Sequence, residues 1–278
     1  MKINKLIAAG SVIALALAGC SSSGDAEEKE FPTNAEGLTT LVVGATPTPH
    51  GEILQHIIDT QAKDAGLDIQ IKEFNDYVQP NAALSDGSID ANYFQHKPYL
   101  DEDSKKKGYD LTSLAAVHLE PLGAYSQKVK SLKDLPEGAK VGVPNDPTNE
   151  ARALKLLVNE GVIELKDPED LNATPIDITS NPKNIEIVEL EAPQVARSLG
   201  DLDAAIINSN FALINGLDPV NGTIATEKVE GNPYANILVV RTKDKDNEKL
   251  LKLKDLLCST DTQNWIKDKY QGTVVPAC

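Results

Sequence analysis

Short apolar runs alternate with amphipathic stretches along most of the chain. Leu41-Val42-Val43-Gly44-Ala45 has the character of a buried strand and ends in small residues and prolines. Over 50–65, Ile53, Leu54, Ile57, Ile58, Ala62 and Ala65 recur at helical spacing, and Gly66 stands where that helix would stop. Leu67, Ile69 and Ile71 alternate with polar neighbours, which is strand periodicity. Residues 78–86 suit a short helix, 89–94 a strand, the polar stretch 97–107 a helix closed by Gly108, and 111–117 another strand. The pattern then restarts. Residues 140–144 read as a strand, and Asp146-Pro147 supplies a cap and a first-turn proline for a helix over 147–160, ended by Gly161. Strands are expected at 185–190, 204–207 and 236–240, helices near 192–199 and 209–215, and two further helices within 245–271. No period of solenoid length is present. This alternation implies an α/β fold with largely parallel sheets covered by helices on both faces. Two such runs imply two α/β lobes in one unit. The restart after Tyr125 puts the crossovers near 118–124 and 234–240, so lobe I is expected at 33–122 and 238–278, with lobe II (123–237) inserted in it.

One apolar run stands outside this rhythm. Lys2 and Lys5 precede an uncharged stretch from Leu6 to Leu17, followed by Leu17-Ala18-Gly19-Cys20 and Ser21-Ser22-Ser23-Gly24. A helix of that length is too short to cross ~30 Å of hydrocarbon. A basic start, a short apolar segment and small residues make a secretory signal. Leu-Ala-Gly-Cys also resembles the bacterial lipobox, which implies that residues 1–19 are removed and that Cys20 carries lipid; the alternative is an ordinary signal with a chance cysteine. Residues 20–32, rich in Ser, Gly and acid, would tether a body to the extracytoplasmic face of the cell membrane.

Charge narrows the partners. The 278 residues carry 42 acids against 27 bases, a formal net charge of -15, and removing Lys2 and Lys5 deepens it. Such a surface repels phosphate backbones, so nucleic acid is not an expected partner. With 41% hydrophobic residues the chain has the composition of a folding protein. Its 3 cysteines exclude a disulfide-framework mini-protein. Outside the cytoplasm Cys258 and Cys278 could pair, whereas the terminal position of Cys278 argues for a mobile thiol; both readings stand. The four histidines, His50, His56, His96 and His118, have no spacing that suits a metal, and His56 is expected on an exposed or half-buried helix face.

No nucleophile elbow, phosphate-cradling loop or His-Glu-x-x-His occurs, so neither catalysis nor a cofactor is expected. Two features suggest binding instead. Five of the twelve aromatic residues (Phe74, Tyr77, Tyr93, Phe94 and Tyr99) fall within 74–99. Phe74 suits the core. Tyr77, Phe94 and Tyr99 sit at or after strand ends, where α/β sheets place ligand clefts, and His96 lies among them. Such a cluster suits a polarizable apolar side chain; thioether sulfur gains ~0.3–1.5 kcal/mol against a ring. The second feature is Pro144-Asn145-Asp146-Pro147-Thr148-Asn149-Glu150-Ala151-Arg152, between a strand and a helix. A helix N-terminus attracts a carboxylate, and Arg152 could add a bidentate pair, unless it is a surface residue paired to an acid.

Several long motifs resemble those of the MetQ/NlpA family of methionine-binding lipoproteins, the substrate-binding components of methionine ABC importers. They are Phe74-Asn75-Asp76-Tyr77-Val78-Gln79-Pro80-Asn81, Asp90-Ala91-Asn92-Tyr93-Phe94-Gln95-His96-Lys97-Pro98-Tyr99, the stretch Pro144 to Asn149, Asn181-Pro182-Lys183 and Ala205-Ile206-Ile207-Asn208, and they span most of 40–270. The resemblance implies a two-lobed periplasmic-binding-protein fold, type II-like, with the ligand between the lobes. It implies a monomer that binds methionine and delivers it to a permease and ATPase. The family's aromatic side-chain pocket falls on Tyr77, Phe94, His96 and Tyr99, and its carboxylate-binding arginine on Arg152. The asparagines around the amino-acid backbone fall on Asn208 and Asn236, with Asn149 a weaker candidate. Glu120 would suit the ammonium, and Thr46-Pro47-Thr48-Pro49-His50 would line the cleft entrance. Alternatives are the same fold holding a methionine-containing dipeptide or another apolar amino acid, or an adhesion lipoprotein with a vestigial cleft.

Overall fold

The computed structural model describes residues 30–278. The signal, Cys20 and the tether up to residue 29 lie outside the described residues. Two separate sheets carry the fold. The first contains β1 (Thr39–Ala45), β2 (Leu67–Glu73), β3 (Ala91–His96), β4 (Leu111–Leu119), β12 (Ala235–Arg241) and β13 (Val275–Pro276), in the order β13-β4-β12-β3-β1-β2. The second contains β5 (Gly123–Tyr125), β6 (Lys140–Pro144), β9 (Glu186–Leu190), β10 (Ala204–Ile207) and β11 (Ala225–Thr226), in the order β11-β5-β10-β6-β9. β7 (Glu164–Leu165) and β8 (Ile178–Ser180) form a small hairpin-like pair. The chain leaves the first sheet after Leu119, enters the second at Gly123, and returns between Thr226 and Ala235.

The sheets are mixed rather than largely parallel. β1 pairs with β2 and β3 in parallel, but β12 runs antiparallel to both β3 and β4. In the second sheet β6 is parallel to β9 and β10, while β5 opposes β10. β5 and β12 lie at the transitions between sheets, where the chain reverses direction instead of crossing over through a helix, and the short β13 also runs antiparallel, beside β4.

Helices cover both sheets: α1 (Glu52–Ile57), α2 (Gln79–Ser85), α3 (Lys97–Lys107), α7 (Glu248–Leu257) and α8 (Thr260–Tyr270) on the first, and α4 (Pro147–Asn159), α5 (Ala192–Arg197) and α6 (Ser209–Ile214) on the second. The helix expected over 50–65 is regular only in α1; wider turns at Pro47–Gly51 and Ile58–Ala62 flank it. Its apolar positions still pack, with Ile53, Leu54 and Ile57 meeting Leu41, Val43, Leu238 and Leu253 in one core. A second core joins Leu154 and Leu157 of α4 to Val141, Leu132 and Ile206. Phe74 is core, against Leu84, Ile89 and Leu100. α3 has little apolar surface, so its ends define it. The His96 ring nitrogen accepts from the Tyr99 N–H at 3.2 Å, and Gly108 closes the helix at φ 73°, a left-handed conformation that glycine takes without a Cβ clash. Cys258 and Cys278 are joined as a disulfide, which ties the chain terminus to the end of α7.

Candidate functional site

The ends of β3, β10 and β12, the start of α4 and the link after β4 converge between the sheets on a narrow cavity of about 20 Å³. Tyr77, Phe94, His96 and Tyr99 line one side. Glu120, Asn149, Arg152, Asn208 and Asn236 line the rest, together with Gln95, Ser209 and Asn210. The strands deliver these side chains because the end of β3, the residue after β10 and the start of the antiparallel β12 meet at the gap between the sheets.

The aromatic wall is a fixed assembly. Ring centroids lie 5.9 Å apart for Tyr77 and Phe94, 6.1 Å for Tyr77 and Tyr99, and 5.9 Å for Phe94 and Tyr99. Their tilted and edge-on angles are the favoured ones for quadrupolar rings. Phe211 of α6 extends the wall 5.0 Å from Tyr77. Tyr99 Oη donates to the Tyr77 carbonyl at 2.8 Å, and Tyr77 Oη donates to Asn210 Oδ1 at 2.6 Å, across to the other sheet's side. Burial pushes both phenols up, so they remain donors.

His96 is neutral. Burial, then the Arg152 charge, pushes its imidazole down to about 3. Its Nδ1 accepts from Tyr99, so Nε2 carries the hydrogen and donates to Asn149 Oδ1 at 3.1 Å. Asn208 Nδ2 donates to that same Oδ1 at 3.0 Å, while Asn149 Nδ2 donates to both oxygens of Asp146, the cap of α4. Asn149 is thus fully engaged within the protein. Two polar atoms on the wall are not: Asn208 Oδ1, an acceptor, and Asn210 Nδ2, a donor, are buried without a partner among the described residues. An unpaired buried amide is costly, typically ~1–3 kcal/mol, and a ligand that satisfies it recovers that cost.

Arg152 is buried and does not offer a free fork. Its Nε donates to Glu227 Oε1 at 2.8 Å and its Nη2 to Glu227 Oε2 at 2.6 Å; Nη2 also reaches the Glu120 carbonyl at 2.8 Å. The guanidinium lies 4.4 Å from the Tyr234 ring centre. Its acid partner is therefore inside the protein, contrary to the surface pairing considered from the sequence. Only Nη1 makes no bond among the described residues, so the two-toothed grip on a ligand carboxylate expected from the sequence is already taken along the Nε edge.

Thr46 and His50 were expected at the cleft entrance; both are fully buried behind the cavity. His50 Nε2 lies 3.3 Å from Glu120 Oε1 and 3.0 Å from Asn236 Oδ1, and His118 Nε2 lies 2.9 Å from the same carboxylate oxygen. These three residues are the one group among the described residues whose donor atoms could meet a metal ion, and each ring nitrogen already has a hydrogen-bond partner. His56 is half-buried, stacked 4.5 Å from Trp265. Asn181-Pro182-Lys183 lies away from the cavity: Lys183 Nζ holds the Leu135 carbonyl at 2.8 Å.

Sequence reasoning missed Glu227, Tyr234, Asn210 and His118 as parts of the site. The last had a signal: His118 and Glu120 are two apart, on one face of an extended segment. Asn210 is likewise two residues beyond Asn208. Glu227 had none, since it lies 75 residues from Arg152 in a long loop.

A family model described as NlpA lipoprotein matches residues 41–278. The chain is 42% identical over 278 residues to the D-methionine-binding lipoprotein MetQ of Escherichia coli (strain K12), covering 99% of this chain and 98% of that one. A nutrient binding protein from Burkholderia cenocepacia, solved bound to methionine, is similar at a TM-score of 0.83 and 46% identity, over 86% of this chain and 100% of that one. An ABC transporter periplasmic substrate-binding protein from Coxiella burnetii is similar at a TM-score of 0.81 and 42% identity, over 85% of this chain and 100% of that one.

Proposed function

The chain belongs to the NlpA lipoprotein family, and from that premise we propose that it captures free methionine between its two lobes for an ABC importer. It is a binding protein and not an enzyme, as its relatives are. The observation that carries the reading is the pairing, on one cavity, of an aromatic wall with an unpaired amide acceptor and an unpaired amide donor, Asn208 Oδ1 and Asn210 Nδ2.

The thioether lies among Tyr77, Phe94 and Tyr99, with His96 at their edge. The carboxylate meets the remaining Nη1 of Arg152 and the Asn210 amide. The ammonium meets Glu120 and the oxygens of Asn208 and Asn236. Charge-assisted bonds of this type contribute roughly 1.5–3 kcal/mol each. Asn149 acts indirectly, by tying His96 and Asn208 to the α4 cap. Contacts drawn from both sheets favour the closed arrangement, so ligand shifts the population toward closure about the two links between the lobes. Lobe I holds residues 33–122 and 235–278 and lobe II holds 123–234, the expected return at 238 moving to 235 because β12 joins the first sheet from Ala235. The closed monomer then presents methionine to a permease and its ATPase. Lipid on Cys20 holds the mature chain at the extracytoplasmic face of the membrane, and Cys20→Ala releases it into the soluble fraction.

Native mass spectrometry of protein purified without unfolding tests the reading. Co-purified methionine, displaced by isotope-labelled methionine, is the expected result. A bound dipeptide or another amino acid would replace the ligand and keep the fold's role. An empty protein that gives no heat with methionine in calorimetry would overturn it.

A further inference from the structure

We propose that His50 and His118 are positioning residues that fix the Glu120 carboxylate as the acceptor for the ligand's α-ammonium group; this rests on the reading of the cavity given above. The three side chains come from distant parts of the chain: His50 follows β1, His118 lies in β4, and Glu120 begins the link to the second sheet. They are 1%, 0% and 6% exposed. Of the three, only Glu120 lines the cavity.

The hydrogen-bond pattern assigns each proton. Tyr93 Oη contacts His118 Nδ1, and burial keeps that phenol protonated, so it donates and Nδ1 accepts. The His118 hydrogen is then on Nε2, aimed at Glu120 Oε1 2.9 Å away. His50 has the same tautomer: Thr46 Oγ1 donates to Nδ1 at 2.7 Å, and the Nε2 hydrogen goes to Asn236 Oδ1 at 3.0 Å, with Glu120 Oε1 beside it at 3.3 Å. The opposite tautomer in either ring would set a nitrogen lone pair against a carboxylate oxygen. One carboxylate oxygen therefore accepts the His118 N–H, with the His50 N–H in close contact with the same oxygen. No side chain among the described residues bonds the other oxygen. Burial pushes the Glu120 carboxyl up, and the Arg152 charge and the backbone N–H of Asn210 act against that shift in favour of the carboxylate.

Neutral imidazoles suit this task better than charged ones. Burial pushes His50 down to about 4 and His118 down to about 3, so both rings supply hydrogen bonds without supplying charge. An imidazolium would cancel the carboxylate and leave nothing for the ammonium. The His118 N–H instead holds one oxygen still, with the neutral His50 edge against it, while the net negative charge remains for the ligand, a preorganised counter-charge in a site that excludes water.

A double-mutant cycle read by methionine calorimetry tests the role. His118→Phe is expected to weaken binding roughly tenfold or more. His118→Gln, which retains an amide N–H, restores most of the loss. In a Glu120→Gln background His118→Phe costs nothing further, because its effect runs through that carboxylate. Equal losses in both backgrounds, or unchanged affinity in His118→Phe, would overturn the role while leaving the methionine site standing. A wild type that binds no amino acid would overturn the site reading itself, and this role with it. Should His118→Phe fail to fold, ¹⁵N NMR of the wild-type imidazoles decides. Hydrogen on Nε2 of both rings, with resonances displaced by Glu120→Gln, supports the role; hydrogen on Nδ1 of either ring overturns it.

Discussion

Glu227 grips Arg152 along its Nε–Nη2 edge, with oxygens 2.8 and 2.6 Å from the two nitrogens. Arg152 is buried on the cavity wall and Glu227 is 11% exposed behind it, so each charge depends on the other. Glu227 also accepts from the Leu122 N–H at 2.9 Å, which anchors the arginine to the link between the sheets.

Arg152→Ala is accordingly expected to damage two properties together. Methionine affinity falls by ~2–5 kcal/mol, because the ligand loses its guanidinium partner. Stability falls by a similar amount, about 3–5 kcal/mol, because Glu227 is left charged, largely buried and unpaired. Calorimetry and urea unfolding of the same preparation check both; loss of affinity with unchanged stability would show that Glu227 reaches solvent readily.

Phe94→Ala should discriminate by side chain. The Phe94 ring makes two sides of the Tyr77–Phe94–Tyr99 triangle, and its loss opens the space that holds the thioether. Binding of methionine is expected to drop by about 3 kcal/mol, near the cost of truncating a buried phenylalanine, with a much smaller change for alanine. Competition calorimetry with the two amino acids measures the difference; equal losses would remove the rings from the side-chain pocket.

Much of this arrangement was legible in local sequence. Apolar periodicity located the strands that form both cores, and capping residues located α3 and α4 almost to the residue, because those signals act within one or two helical turns. The cavity residues of lobe I were readable for the same reason, being gathered in 77–99. Strand direction was not: whether β12 runs with or against β3 depends on where the chain re-enters the first sheet, a choice that side-chain alternation does not encode. The partner of Arg152 and the burial of His50 were likewise hidden, since each is fixed by contacts 70 or more residues away in sequence. The disulfide was undecided for a related reason, as only the fold brings the C-terminus back beside β4 and α7.

That disulfide closes a segment of 20 residues containing α8 and β13. By loop-entropy arithmetic it contributes about 3 kcal/mol. Replacing both cysteines by serine is expected to lower the stability by that order and to loosen β13 first, because its two residues have few other attachments. Denaturant midpoints give the loss, and hydrogen exchange at Val275 gives its location; an unchanged midpoint would show that α8 packing alone sets the terminus.

Glu150 predicts the pH response. It is buried in the first turn of α4 and faces Glu189. Burial first, and then the neighbouring carboxylate of Glu189, push it up to about 8. The folded chain therefore holds a proton on Glu150 that the unfolded chain releases near its ordinary value of 4.5. Stability from this group is complete below that lower value and is lost as the pH rises through about 8. Buried His50, His96 and His118 act in the opposite sense. Their values are lowered to about 4, 3 and 3, so unfolding takes up protons and stability falls as the pH drops below 6.5. Glu150→Gln removes only the alkaline loss. Urea midpoints at pH 5, 7 and 9 should show the variant gaining on the wild type at each step upward, while the acid-side fall persists. A difference that stays constant across those pH values would mean that Glu150 is already ionised in the folded protein.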